Sequence, residues 1–311
     1  MSHSEQLANH GKSSKLKDYL QLTKPSLNIM VVFSSVVSYL MAPKVVEYDW
    51  LMIMLLFIGG FLVTGSANAI NQAVEKNTDA VMKRTAKRPV ASGRMTASEA
   101  WTFAVLTGVI GCFILGYFFN PLSAGLAAFS LFLYAFVYTP LKKVNAIAVL
   151  VGAFPGALPC LIGWAAGNDA IFEHGHGWKD YGGWVLFAIQ FLWQFPHFWA
   201  IAWIAHKDYS TAGFKLLPAE KGPTKFTALQ TIVYALLLVP VCILPYIINL
   251  TGYQSVKDMI CLVLVILSNV FLVGQCIRLY REMDVKAARR VMFSSYIYLP
   301  IVLLALLAGK A

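Results

Sequence analysis

Nine long apolar segments are the feature that most constrains the fold of this 311-residue chain. Each holds about 20 residues with few or no charges, which is the length that a helix needs to cross a lipid bilayer. Charged residues make up only 13% of the chain, against about 25% in a typical soluble protein. We therefore predict an all-α, polytopic membrane bundle of about nine transmembrane helices. The predicted spans are residues 25–42, 50–70, 100–119, 122–139, 146–166, 183–204, 227–249, 256–277 and 291–309.

The connections between these segments are short and polar. We expect residues 1–24 to form a cytoplasmic N-terminal tail and residues 25–311 to form a single transmembrane domain. If the N-terminus is cytoplasmic and the spans alternate, all but four of the 25 lysines and arginines face the cytoplasm. This is the positive-inside pattern, and it predicts a C-terminus on the outer side of a bacterial inner membrane. It also explains the net charge of +10 without nucleic-acid binding.

Polar residues at regular spacing follow the second apolar segment. Asn71, Glu75 and Asp79 are four residues apart, so they share one face of a continuing helix. One amide oxygen and two carboxylates suit Mg²⁺, which prefers oxygen ligands and usually binds one or two carboxylates together with substrate phosphates. The alternative is a solvated cytoplasmic loop, although carboxylates at the edge of a span are costly to dehydrate and are commonly functional. The cations that come next are Lys83, Arg84, Lys87 and Arg88.

The stretch NQAVEKNTDAVMKRTAKRP, residues 71–89, resembles the first aspartate-rich motif of the UbiA superfamily of intramembrane prenyltransferases. That motif reads Asn-x-x-x-Asp-x-x-x-Asp, and Glu75 replaces its middle aspartate. The resemblance extends along nearly the whole chain. LTKPSL, at residues 22–27, is similar to the start of the family's first helix and makes Lys24 a candidate diphosphate contact. YTPLKKVNAIAVLVGAFPGALPCLIGW, at residues 138–164, is similar to the loop after helix 4 and to helix 5, and it contributes Lys142 and Lys143.

A third stretch, WQFPHFWAIAWIAHKDYSTAGFKLLP at residues 193–218, resembles the second motif in the branch of the superfamily that farnesylates heme. The resemblance makes Asp208 a metal or diphosphate ligand. Ala212 stands where most of the superfamily has a further carboxylate, which leaves a second metal site poor in ligands. His197 lies in an aromatic run within a predicted span. It is expected either to ligate heme iron or accept a proton, or to hydrogen-bond to a neighbouring helix.

The resemblance implies a reaction in which a farnesyl group passes from farnesyl diphosphate to a vinyl group of heme b. The products are heme O and diphosphate, and the cofactor is Mg²⁺. The implied site lies in a central cavity open to the cytoplasmic side. Implied partners are the lipid bilayer and a downstream heme A synthase or terminal oxidase assembly. The implied catalytic residues are Asn71, Glu75, Asp79, Asp208 and His197, of which the first four bind the metal, and the implied diphosphate contacts are Lys24, Arg84, Arg88, Lys142 and Lys143.

Two other functions stay open. One is a prenyltransferase of the same superfamily that acts on a quinone or chlorophyll precursor; the basic run RTAKRP and the Asp208/Ala212 pattern argue against it. The other is a membrane transporter, which often shows broken helices with polar groups at the midplane. Here the polar residues cluster at one face of the predicted bundle, which favours the enzyme.

Overall fold

The computed structural model describes residues 14–172, 177–219 and 222–311. Regular structure within these ranges is helical apart from one isolated bridge between Thr251 and Lys310. The helix that starts at Pro121 continues through a wider π-helical turn, Leu133–Tyr138, to Leu141. The helices are α1 Lys15–Thr23, α2 Pro25–Met41, α3 Trp50–Val74, α4 Lys76–Val81, α5 Ala97–Phe118, α6 Pro121–Phe132, α7 Ala148–Asn168, α8 Gly182–Ile204, α9 His206–Thr211, α10 Lys225–Ile247, α11 Val256–Glu282 and α12 Val285–Ala308.

The predicted polytopic bundle is confirmed. Eight helices in the described part of the chain are long and apolar enough to cross a membrane, and the pair α1–α2, bent by 45°, makes a possible ninth span. The bundle also turns apolar side chains outward, as a protein solvated by lipid must. On α11, for example, Ile260, Leu267 and Phe271 are all more than half exposed.

Helix α7 lies at the centre of the bundle. Of its apolar window, 78% is buried, against 28% for the peripheral helix α11. It packs against α2, α6 and α8, which are three of the helices that border the predicted motifs. A functional cavity in this bundle is therefore expected beside α7.

Two prolines within α7 remove backbone donors from the centre of the bundle. Because Pro159 has no N–H, the carbonyl of Pro155 loses its helical partner. The hydroxyl of Ser130 on α6 donates to that carbonyl instead, at 3.1 Å. A neighbouring helix thus supplies the missing hydrogen bond, which is the way membrane helices tolerate proline. The close contact between α7 and α8 depends on Gly156, where a Cβ atom would collide with Oε1 of Gln194.

Two helices break in the same way at one end of the bundle. Helix α3 ends before Glu75 (φ −88°, ψ 12°), and the six-residue α4 follows. Helix α8 ends before Ala205 (φ −92°, ψ 11°), and the six-residue α9 follows. Each break redirects the chain, and the functional site lies between the two short helices that result.

Candidate active site

One cavity of about 200 Å³ gathers most of the sequence-predicted site residues. It lies beside the breaks in α3 and α8. Its polar lining comes from the turn before α2, from α3 and α4, from the segment after α4 and from the segment after α6. The lining residues that were predicted from the sequence are Lys24, Asn71, Glu75, Asp79, Arg84, Arg88 and Lys142.

The acidic column forms a buried polar part of this cavity. Asn71, Glu75 and Asp79 all line it, and their exposed fractions are 2%, 5% and 1%. Their common face persists through the break at Glu75, because Asp79 N still donates to the Glu75 carbonyl at 2.7 Å. The Asn71 amide donates from Nδ2 to Oγ1 of Thr139 at 3.2 Å. Thr139 therefore holds this amide by its nitrogen and leaves the oxygen available as a ligand.

Each buried carboxylate is neutralised by a cation from another segment. Nζ of Lys142 lies 2.8 Å from Oε1 of Glu75. Nη1 of Arg88 donates to both carboxylate oxygens of Asp79, at 2.8 and 2.7 Å. An unpaired buried charge would be strongly destabilising, and each of the two carboxylates is matched by a cation inside the bundle. The sequence did not predict the pairs.

Lys24 adds a third cation to the same cavity. It occupies the bend between α1 and α2, where its φ of 50° is left-handed. Non-glycine residues adopt this conformation rarely, and such strain clusters at functional sites. Lys24, Arg88 and Lys142 thus converge on one small volume, together with two carboxylates. This arrangement attracts an anion that brings its own cation, such as a diphosphate with Mg²⁺.

Aromatic side chains hold the mouth of the cavity together. Arg84 donates from Nη2 to the hydroxyl of Tyr209 at 2.8 Å, and its guanidinium lies 5.3 Å from the ring centroid. The Lys142 ammonium lies 4.7 Å from the ring of Tyr138 and 5.6 Å from that of Phe214. These contacts join the segments that follow α4, α6 and α9. Tyr138 and Tyr209 were not predicted as site residues, although Tyr134 and Tyr138 stand four residues apart in the fourth apolar segment.

An apolar cavity continues from the polar one into the bundle. The two share Leu27 and Tyr134 in their walls. The apolar cavity follows α3 from Asn68 to Gly60 and reaches Ile162 of α7. A hydrocarbon chain attached to a bound diphosphate could therefore extend through this apolar cavity toward the middle of the membrane.

Three predicted site residues lie outside the polar cavity. Asp208, on α9, is half-buried, and its neighbour Tyr209 takes the place in the cavity wall. Lys143 is exposed. His197 is buried in α8, one residue before Phe198, which does line the cavity. The described chain holds no cluster of three or more histidine, cysteine, aspartate or glutamate side chains fit for a metal. The donor set that fits Mg²⁺ is thus two carboxylates and one amide, which suits a metal that shares its ligands with a diphosphate.

Sequence relatives match this chain over nearly its full length. The protoheme IX farnesyltransferase of Cytophaga hutchinsonii is 42% identical over 96% of this chain and 99% of its own length. The protein of the same name from Flavobacterium psychrophilum is 40% identical over 96% of this chain and 95% of its own.

Solved structures of low sequence identity share the fold. The structure of digeranylgeranylglyceryl phosphate synthase superposes with a TM-score of 0.74 at 22% identity, covering 96% of this chain and 99% of that one. A UbiA homolog from Archaeoglobus fulgidus bound to GPP and Mg²⁺ gives a TM-score of 0.69 at 13% identity, covering 93% and 99%. The model of the UbiA prenyltransferase family matches residues 31–297 of this chain. The resemblance found in the motifs is therefore confirmed, and the chain belongs to the UbiA prenyltransferase family.

Proposed function

We propose that this chain transfers a farnesyl group from farnesyl diphosphate to a vinyl group of heme b, forming heme O and releasing diphosphate. The observation that carries the proposal is the joined pair of cavities, charged at the mouth and apolar beneath. Such a pair fits a substrate with a diphosphate head and a long hydrocarbon tail. The near full-length likeness to proteins named protoheme IX farnesyltransferase supports heme as the acceptor.

The metal site proposed here consists of the oxygens of Asn71, Glu75 and Asp79. A Mg²⁺ ion at this site would offset the charge of the diphosphate and make it a better leaving group. The cations Lys24, Arg84, Arg88 and Lys142 would hold the remaining phosphate oxygens. Lys142 and Arg88 already lie against the two carboxylates, so they could turn from those carboxylates to a bound phosphate without crossing the cavity. Asp208 and Lys143 stay predictions, and each would have to move to reach the diphosphate.

The walls of the cavities serve the chemical step. When the allylic C–O bond breaks, its electron pair leaves with the diphosphate and a farnesyl cation remains. The rings of Tyr134 and Tyr138 lie in the wall of the polar cavity, and aromatic faces stabilise nearby cations. The heme vinyl group then forms the new C–C bond, and water adds to the resulting cation and loses a proton. Apolar walls exclude water until that bond has formed.

The proposed location is a bacterial inner membrane with the N-terminus in the cytoplasm and the C-terminus outside. The lysine and arginine distribution supports this orientation. The cavity mouth lies where α3 and α8 end, which is the cytoplasmic side in that orientation. Farnesyl diphosphate would then enter from the cytoplasm. A heme A synthase or a terminal oxidase assembly remains the proposed downstream partner.

A reconstituted reaction tests the proposal. The purified protein is incubated in detergent with heme b, farnesyl diphosphate and Mg²⁺, and the products are analysed by mass spectrometry. The expected product is heme b plus one farnesyl group and one hydroxyl group, and it should be absent when Mg²⁺ is chelated. Prenylation of a quinone or chlorophyll precursor in parallel reactions, with heme b unchanged, would contradict the proposal in favour of another prenyltransferase.

A further inference from the structure

The side-chain amide of Asn68 is held in one orientation inside the bundle. Asn68 lies on α3, and its exposed fraction is 1%. Its Nδ2 donates to the carbonyl of Thr23 at 3.2 Å and to Oδ1 of Asn28 at 2.9 Å. A backbone carbonyl only accepts, so the amide atom that faces Thr23 must be the nitrogen. Both N–H bonds of this nitrogen are then used, and the direction of the amide is fixed.

Asn28 supports the same orientation from α2. It is fully buried, and its Nδ2 donates to the carbonyl of Phe61 at 3.3 Å. Its Oδ1 therefore faces Asn68 as an acceptor. If either amide were rotated by 180°, two donors or two acceptors would face each other. The two asparagines thus determine each other's orientation, and the oxygen of Asn68 points away from both of its partners.

The amide oxygen of Asn68 is the part of the side chain that remains without a partner. Oδ1 accepts no hydrogen bond within the described chain, and it is not among the fully enclosed side-chain atoms there that lack one. The small exposure of Asn68 therefore includes this oxygen, and Asn68 lines the apolar cavity. A buried polar atom without a partner is costly. A rigidly held acceptor beside a cavity indicates a ligand that brings a donor or a positive charge.

Asn68 lies where the two cavities meet. It precedes Asn71, which lines the polar cavity, by three residues of α3, or about 4.5 Å at roughly 1.5 Å per residue. Leu27 and Tyr134 belong to the walls of both cavities. A prenyl diphosphate with its head beside Asn71 would therefore place its first carbons beside Asn68. A hydrocarbon chain has no donor, and its only positive charge is the one that these carbons acquire when the C–O bond breaks.

Resting on the proposed function, we propose that Oδ1 of Asn68 stabilises the farnesyl cation as it forms. The electron pair of the broken C–O bond leaves with the diphosphate, and carbons 1 and 3 share the positive charge. The negative end of the fixed amide dipole faces that charge. Asn68 forms no covalent bond and transfers no proton. Because the neutral substrate gains little from the dipole, the contribution appears in kcat and not in donor binding.

Two unreactive analogues of the prenyl donor test the proposal on the purified full-length protein with Mg²⁺. Farnesyl S-thiolodiphosphate resembles the neutral substrate, and an analogue with a protonated amine in place of carbon 3 resembles the cation. Asn68→Leu is expected to change the Kd of the neutral analogue by less than about twofold and to raise the Kd of the ammonium analogue about tenfold. The kcat of heme O formation should fall by at least the same factor.

Asn28→Leu is the matched control. Asn28 belongs to the same chain of hydrogen bonds but lines neither cavity, and Thr23 still holds the amide of Asn68 in this variant. Asn28→Leu should lower the thermal stability in detergent, because it leaves a buried donor without its acceptor. The ratio of the two Kd values should equal that of the wild type. If Asn68→Leu does not fold, Asn68→Val gives the same test with a smaller apolar side chain.

An unchanged ratio of Kd values in the Asn68 variant would overturn the proposal, even if turnover fell, because Asn68 would then only hold the bend between α1 and α2. An equal change of the ratio in Asn28→Leu would overturn it as well, since the effect would then come from the hydrogen-bonded chain. Neither analogue requires heme. A wild type that binds both analogues but makes no heme O would contradict the proposed function and leave the assignment of Asn68 standing.

Discussion

The two broken helices, α3–α4 and α8–α9, have the same backbone and opposite chemistry. Both break at a residue with φ near −90° and ψ near 10°, and both continue as six-residue helices. Asn71, Glu75 and Asp79 line the cavity from one of them. From the other, the lining residues are Phe198, Ile201 and Tyr209. Equal geometry therefore presents a column of oxygen ligands on one wall and an apolar, aromatic surface on the other.

This difference indicates how one cavity can serve two kinds of substrate. The α3–α4 wall suits a diphosphate with its metal, and the α8–α9 wall suits a flat, apolar acceptor. The helices also differ in depth. Helix α3 continues along the apolar cavity as far as Gly60, whereas α8 contributes no residue to that cavity among the described ones. The first helix is thus expected to control the prenyl donor, and the second is expected to control the acceptor.

The largest effect is expected from Asp79→Asn on the acidic wall. It removes a charge from the proposed metal site and leaves Arg88 without its carboxylate. We expect turnover to fall by at least about 100-fold, the size of loss seen when one charge-stabilising group is removed. The measurement is heme O formation at saturating Mg²⁺ by mass spectrometry.

Asp18→Asn is the matched control. Asp18 is also buried and pairs with Arg94 at 2.9 Å, but it does not line the cavity. It should lower the thermal stability in detergent as Asp79→Asn does, because each change breaks a buried ion pair. Its turnover should stay close to that of the wild type. Near-normal turnover in Asp79→Asn would contradict the metal site.

A smaller effect is expected where α3 borders the apolar cavity. Asn71 and Gly60 are eleven residues apart on α3, which is about 16 Å at roughly 1.5 Å per residue. A farnesyl chain has eleven carbon–carbon bonds along its length and reaches about 13 Å when extended, by analogy with the polypeptide backbone. The distance from Asn71 to Gly60 is therefore long enough for an extended farnesyl chain. A side chain at Gly60 should shorten the space available to that chain.

Gly60→Leu tests this match. Gly60 and Val32 both line the apolar cavity, and a Cβ atom at Gly60 would make ordinary contact with Val32 at 3.4 Å, so a leucine can be accommodated and would narrow the cavity. We expect the preference for farnesyl over geranyl diphosphate, as a ratio of kcat/KM values, to fall about tenfold. Gly125→Leu is the control, because Gly125 is exposed on α6 with nothing within 4 Å. An unchanged ratio in Gly60→Leu would place the end of the donor chain elsewhere.

Much of the fold could be predicted from the sequence, and so could the acidic column on the α3–α4 wall. Apolar segments of membrane length predict spans without further information, because lipid forces each of them to be a helix. The acidic column was predictable because its spacing of four survives the break at Glu75. The ion pairs Glu75–Lys142 and Asp79–Arg88 were not predicted. Lys142 lies 67 residues beyond Glu75, and no local sequence pattern links these two residues.

The position of Asp208 shows why the second wall was harder to predict. On an unbroken helix Asp208 would lie about 20° from Ile201 and would share its face. The break at Ala205 shifts that register, so Tyr209 lines the cavity instead. Neither proline nor glycine marks this break in the sequence. A local irregularity without a sequence signal thus changes which side chain faces the site.

Tyr209→Phe, on the aromatic wall, is expected to have a smaller effect than Gly60→Leu. It removes the hydroxyl that accepts from Arg84 at 2.8 Å but keeps the ring beneath the guanidinium. Because Arg84 is exposed, we expect KM for farnesyl diphosphate to rise only about threefold. Tyr280→Phe, where Lys225 lies over another tyrosine ring, should leave KM unchanged. If Tyr209→Phe lost as much turnover as Asp79→Asn, the proposed separation would be wrong, in which the α3–α4 wall binds the diphosphate and the α8–α9 wall binds the acceptor.

The smallest effect is expected from Asp208→Asn, which tests the comparison most directly. Asp208 is half-buried and does not line the polar cavity. If Asp208 stays outside the cavity during the reaction, removing its charge should change turnover and the Mg²⁺ concentration for half-maximal rate by no more than about twofold, since partly exposed charges are well screened. Both are measured beside Asp79→Asn in the same assay. If Asp208→Asn instead lost activity about 100-fold and needed more Mg²⁺, α9 would have to turn on substrate binding and bring a carboxylate to the second wall. The chemical difference between the walls would then belong to the empty enzyme alone, and the working site would hold metal ligands on both sides.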